Sequence, residues 1–164
     1  MTTTIRISKE YLHFAAAHFT IFSASERENL HGHNFHVTVD ATAEIHNDGL
    51  TFDYNRLKDT LKELCDALDE QVLMPEQSPY LTLESDDTYT YVNFAGERLP
   101  FLKRDLTLLP VRNVTVEELS RYLLDKLTTH PAIMLLDIEE LVLKCASGAG
   151  QWASATWPDK ENRS

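Results

Sequence analysis

The sequence predicts an α+β fold, an antiparallel four-stranded sheet with two helices on one face in the order ββααββ and a small β insert between the helices. Three observations carry this prediction. Residues 30–45 alternate with a period of two: His31, His33, Phe35, Val37, Val39, Ala41, Ala43 and Ile45 share one parity, polar residues the other. Two stretches, following Asp53 and Thr115, place leucines at helical spacing. The chain then returns to alternation from Ile138 to Ala146, turns at Ser147-Gly148-Ala149-Gly150, and closes with a hairpin strand over 151–157.

Taken in order, residues 4–17 read as the first strand, because Ile5, Ile7, Tyr11 and Phe14 are β-prone and no breaker intervenes. Residues 19–29 form a loop, and 30–45 the long second strand with one wet and one buried face. His46-Asn47-Asp48-Gly49 has turn chemistry. Asp53 caps a helix whose apolar stripe runs through Leu57, Leu61, Leu64, Cys65, Leu68 and Val72 until Pro75 stops it. Residues 76–110 form the insert, with strand-like pieces at 80–84, 89–94 and 98–101. Thr115 and Glu118 make a capping box for the second helix. Residues 1–158 are expected to form a single domain, with a loose polar tail at 159–164.

Composition bounds the function. Hydrophobic residues at 43% and charged residues at 25% are ordinary for a soluble globular protein. No apolar run reaches the ~20 residues of a membrane helix, and Met1 to Arg6 lacks a signal-peptide core, so cytoplasmic residence and no membrane partner are expected. A net charge of −11 argues against a nucleic-acid surface, while Arg27, Arg112 and Lys144 could still line a pocket for a small anion. Cys65 and Cys145 are too few for a disulfide framework.

Side chains two apart on a strand point the same way, so His31 and His33 can reach one point, and Gly32 between them leaves room for another group. A bare His-x-His is more often a pair of ordinary strand-end residues. His18, at the end of the apolar run Phe14-Ala15-Ala16-Ala17, changes the balance. Three histidines make an open zinc site, which keeps a fourth position for water or substrate. Of Ser25, Glu26, Arg27 and Glu28, at least two belong to a solvated charge run, and the rest can face the metal.

These residues resemble the family of 6-pyruvoyl- and 6-carboxy-tetrahydropterin synthases. The matching pieces are F-x-A-A-H at 14–18, L-H-G-H-N-F at 30–35, F-D-Y-x-x-L-K at 52–58, L-D at 68–69 and N-x-T-x-E at 113–117. The resemblance implies the tunnelling fold, homo-hexamers built as a dimer of trimers, and zinc on His18, His31 and His33. It also implies lyase activity on 7,8-dihydroneopterin triphosphate, whose bacterial branch feeds queuosine synthesis. The family's usual base is a cysteine four or six residues before the first histidine of H-G-H, where this chain has Arg27 and Ser25. Glu26 or Glu28 is the replacement this implies, since part of the family carries glutamate in this region and forms 6-hydroxymethyl-dihydropterin. The family's Asp-His relay corresponds to Asp69 and Glu70, and its pterin-anchoring glutamate to Cys145. Thr115 and Glu117 match the pterin-side motif. Three readings follow: a zinc-dependent pterin lyase with altered catalytic residues, a relative that only binds a pterin-like ligand at zinc, and, apart from any family, a three-histidine site activating water in a hydrase or hydrolase.

Overall fold

The computed structural model describes residues 1–159; the rest of the expected loose tail lies outside the described residues. Ten strands are seen among them: β1 (Thr2–Ile7), β2 (His13–His18), β3 (His31–Glu44), β4 (Gln71–Pro75), β5 (Thr82–Ser85), β6 (Tyr89–Phe94), β7 (Glu97–Leu102), β8 (Leu106–Leu109), β9 (Glu140–Gly148) and β10 (Gln151–Trp157). The helices are α1 (Tyr54–Asp66), α2 (Val116–Thr128) and the short α3 (Pro131–Met134).

The α+β class holds, but the four-stranded antiparallel sheet in ββααββ order does not. The main sheet has seven strands and is mixed: β10-β9-β3-β2-β4-β8 form a path and β1 pairs with β3. The third helix and the parallel pairings β2–β4 and β4–β8 were not expected.

The 14-residue β3 is the spine. Its parity is as expected, with Phe35, Val37, Val39, Ala41 and Ala43 buried. One edge of β3 pairs with β9. The other is shared end to end by β1, opposite 39–44, and β2, opposite 31–36. The single first strand expected over 4–17 is therefore broken at 8–12. The reason is parity: Ile5 and Ile7 are odd, whereas Leu12, Phe14, Ala16 and His18 are even. A continuous strand would send the two sets to opposite faces. The excursion resets the parity, buries Leu12 completely and rejoins β3 through the Val37 N–H donating to the Leu12 carbonyl at 2.9 Å.

The expected first helix also ends early, at Asp66. Leu68 remains in the core, but Val72 belongs to β4. Glu70 adopts φ +57°, a left-handed turn that redirects the chain into β4. Leu73 and Met74 are both fully buried, on opposite faces of that strand. Leu73 joins the main core between sheet and helices, with Phe14, Phe35, Leu57, Leu61, Leu119 and Leu123. Met74 joins a second core with Phe19, Ile21, Val92 and Phe94. The insert is thus a three-stranded sheet, β5-β6-β7, with strands near their expected positions, covering the face of β4 that the helices leave open, while β8, at the end of the expected 76–110 segment, joins the main sheet beside β4.

Both predicted caps are present: the Asp53 carboxylate accepts from the Asn55 N–H, and the Thr115 hydroxyl from the Glu118 N–H. None of the helices among the described residues is long and apolar enough to cross a membrane.

Candidate active site

The register of β2 on β3 sets His18 directly opposite His31 and Ala16 opposite His33. All three imidazoles therefore line one cleft close to the start of α2, with the His18 and His33 rings set steeply against the Phe35 ring. One nitrogen from each ring falls within 4.8 Å of the others. His31 Nε2 and His33 Nε2 stand 3.0 Å apart. Two nitrogens each 2.0–2.1 Å from a tetrahedral ion are roughly 3.3 Å apart, so the His31–His33 pair is already spaced for a shared ion, and His18 within 4.8 Å would have to draw in to join it.

The chemistry of the donors fits a metal as well. His18 Nδ1 donates to the Val114 carbonyl at 2.8 Å and His31 Nδ1 to the Asn29 carbonyl at 2.7 Å. Each bond fixes the tautomer and leaves the lone pair on Nε2, the arrangement metal-binding imidazoles use. His18 is only 6% exposed, and its Nε2 is buried with no hydrogen-bond partner. Such an orphan is costly unless something coordinates it. Burial lowers the His18 pKa, against the pull of the Val114 carbonyl, which favours the neutral, ligating form.

Glu28 completes the cluster. The loop from Thr20 to Glu28 closes on itself: the Glu28 N–H donates to the Thr20 carbonyl, and the Thr20 N–H donates to Glu28 Oε2, both at 2.9 Å. That same oxygen lies 3.9 Å from His31 Nε2. Burial pushes the Glu28 carboxyl pKa up, but the Thr20 hydrogen bond and the imidazoles together outweigh it, so the net shift is downward. At neutral pH Glu28 is an ionised acceptor.

A cleft of about 260 Å³ opens onto these groups, lined among others by Thr20, Phe22, Thr115, Glu117, Ser147 and Gln151. Of the residues singled out from sequence, His18, His31, His33, Glu28, Thr115 and Glu117 come together here. The others stand elsewhere. Glu26 is exposed and lines a different cleft with Arg27 and Glu97. Arg27 turns away towards the insert. The Asp69 carboxylate accepts from the Ala15 N–H at 2.7 Å, and Glu70 is exposed in the same turn; neither lines the cleft of its own chain. Cys145 is fully buried in the main core, and burial pushes its thiol and that of Cys65 up to about 12. The strand that carries Cys145 reaches the cleft two residues later, with Ser147. Sequence reasoning missed Thr20, Phe22, Ser147 and Gln151, which carry no motif. It also gave Asn113 no role of its own. The Asn113 side chain pairs with both the N–H and the carbonyl of Ile21 and ties the loop to the segment before α2.

The model of the 6-pyruvoyl tetrahydropterin synthase family matches residues 6–144. The chain belongs to this family. Among curated relatives, a protein of Methanocaldococcus jannaschii provisionally named 6-carboxy-5,6,7,8-tetrahydropterin synthase is 29% identical over 112 residues, 68% of each chain. Among solved structures, the 6-pyruvoyl tetrahydropterin synthase of Plasmodium falciparum superposes with a TM-score of 0.89 at 25% identity, covering 94% of this chain and 97% of that one. The Plasmodium vivax protein gives 0.88 at 24% identity, covering 95% and 98%. Two further structures of the P. vivax protein replace a glutamate described as a catalytic residue. The fold is that of the family, and the family assignment supports a pterin synthase-type lyase.

Proposed function

We propose that this chain is a zinc-dependent lyase acting on 7,8-dihydroneopterin triphosphate, with Glu28 as its acid–base residue. The observation that carries the reading is the convergence of three imidazole nitrogens with one carboxylate beside them. Zinc on His18, His31 and His33 would supply Lewis-acid stabilisation of negative charge developing on the substrate's side-chain oxygens. Glu28, held by the Thr20 N–H, accepts the proton from side-chain carbon and returns it. Thr115 and Glu117, at the start of α2, hold the pterin; the Thr115 hydroxyl accepts from the Glu118 N–H and keeps its own proton to donate. Asp69 and Glu70 lie outside this cleft, so a relay role for them requires a neighbouring chain of the oligomer to bring them to it. A homo-hexamer of two stacked trimers fits a main sheet whose terminal strands, β10 and β8, each pair on one side only among the described residues.

A second reading concerns the product. Neither cysteine reaches the cleft, and the carboxylate at Glu28 takes the place of a thiol base. In the P. vivax relative a glutamate is the residue type described as catalytic. That relative is named as a 6-pyruvoyl synthase, so the product preference rests on the resemblance alone: the part of the family with glutamate in this region forms 6-hydroxymethyl-dihydropterin, which implies a route other than queuosine synthesis.

The test is to incubate zinc-loaded protein with 7,8-dihydroneopterin triphosphate and identify the products by mass. Turnover to any of the three pterins supports the lyase and names its subtype. Binding without turnover leaves a pterin binder, and neither binding nor turnover removes the reading altogether.

A further inference from the structure

Among the described residues, none of the insert's strands β5, β6 or β7 lines the histidine cleft. The insert nevertheless grips the loop that carries Glu28, at two levels. The apolar level is the second core, where Phe19 and Ile21 pack with Met74, Val92 and Phe94. The polar level is Arg27. Its Nη1 donates to the Glu28 carbonyl at 2.8 Å, and its Nη2 donates to Glu97 Oε2 at 2.8 Å. The guanidinium lies 4.6 Å from the Phe19 ring centre and 5.8 Å from that of Phe94. The Arg27 side chain is only 16% exposed, although its partner Glu97 is 61% exposed, so the buried half of the contact is the guanidinium against the Glu28 carbonyl and the Phe19 ring.

The geometry makes this a pin. Glu28 is held at its N–H side by Thr20 and at its carbonyl by Arg27. Glu97 follows the two-residue turn Ala95-Gly96, both with positive φ (48° and 84°), the tight hairpin form that fixes the start of β7. A planar guanidinium forked between a carbonyl and a carboxylate, and stacked on an aromatic ring, has little freedom. A lysine cannot reproduce both bonds and the stacking.

We propose that Arg27 is a positioning residue through which the insert sets the backbone of Glu28, and so the place of its carboxylate beside His31. This rests on the reading of Glu28 as the base. The insert then buttresses the acid–base group from outside the cleft.

The experiment compares zinc-loaded wild type with Arg27→Gln, Arg27→Lys and Glu97→Gln, measuring kcat, KM, bound zinc and hydrogen exchange at residues 20–30. Misplacing a reacting group by about 1 Å costs up to ~100-fold. Arg27→Gln is expected to lower kcat by about 10- to 100-fold by that rule, with KM and zinc content close to wild type. Arg27→Lys recovers part of the loss. Exchange of the Thr20 and Glu28 amides quickens in Arg27→Gln and, less so, in Glu97→Gln. Should Arg27→Gln fail to fold, Glu97→Gln decides, because Glu97 is 61% exposed and its loss leaves the second core intact. Unchanged kcat and unchanged exchange overturn the proposal. So does a fall in kcat matched by a fall in bound zinc. If wild type shows no turnover, the lyase reading fails, while the exchange data still decide whether Arg27 pins the loop.

Discussion

Replacing Glu28 by Gln separates its chemistry from its structural role. The Thr20 N–H needs only an acceptor, which the Gln amide oxygen supplies, and the Glu28 N–H to Thr20 carbonyl bond does not involve the side chain. The loop therefore keeps its shape. The Glu28 Oε2 to His31 Nε2 distance, 3.9 Å, is beyond hydrogen-bond reach, so this contact does little to hold the loop. What disappears is the proposed proton acceptor, and positioned general bases contribute about 10²- to 10⁴-fold. At 1.36 kcal/mol per decade that is roughly 2.7 to 5.4 kcal/mol in the barrier. The assay is steady-state turnover of 7,8-dihydroneopterin triphosphate by zinc-loaded protein, with the zinc content of each sample measured alongside. The expected result is a kcat lower by about 10²- to 10⁴-fold at unchanged zinc content, the range set by that same contribution. Unchanged turnover would remove Glu28 from the mechanism. Turnover and zinc lost together would instead make Glu28 a ligand.

Two further outcomes test the fold. Leu61→Ala, at a position 1% exposed where α1 meets the main core, should cost about 2–5 kcal/mol in denaturant unfolding. A smaller cost would mean that α1 does not seal that core. Asp40 pairs with Arg6 through two bonds of 2.7 Å, and the guanidinium holds its carboxyl below the usual carboxylate range. A depressed carboxyl stabilises the fold above its unfolded pKa, and that stabilisation fades as pH falls through the folded value. Asp40→Asn should therefore be less stable than wild type at pH 7, and the two should converge in acid; a pH-independent gap would assign the effect to packing.

The site was legible where periodicity and chemistry coincide. His31 and His33 sit on the buried parity of β3, and that parity followed from the alternation of Phe35, Val37 and Val39. His18 was legible as a candidate, but its place opposite His31 depends on a register that no local pattern sets. The break at 8–12 did leave a trace, in the switch from odd Ile7 to even Leu12 and Phe14. β4 was hidden because Val72 happens to continue the stripe of α1. Only the neighbouring pair Leu73 and Met74, buried on opposite faces, marks a strand covered on both sides. Glu26, Arg27 and Glu28 looked alike as a charge run. Which one enters the cleft is settled by the closure of the Thr20–Glu28 loop, whose flanking Phe19 and Ile21 pack against residues far away in the chain, Val92 and Phe94 of the insert.

The most direct measurement is the zinc-to-chain ratio of protein loaded with zinc and dialysed, for wild type and for His33→Ala. His33 is only partly buried, so its loss should leave the fold standing. One ion per chain is expected in wild type, with loss of stoichiometric zinc in the variant and an unchanged far-ultraviolet spectrum. No bound ion in wild type, or an undiminished ratio in His33→Ala, would contradict a zinc centre built on the three histidines.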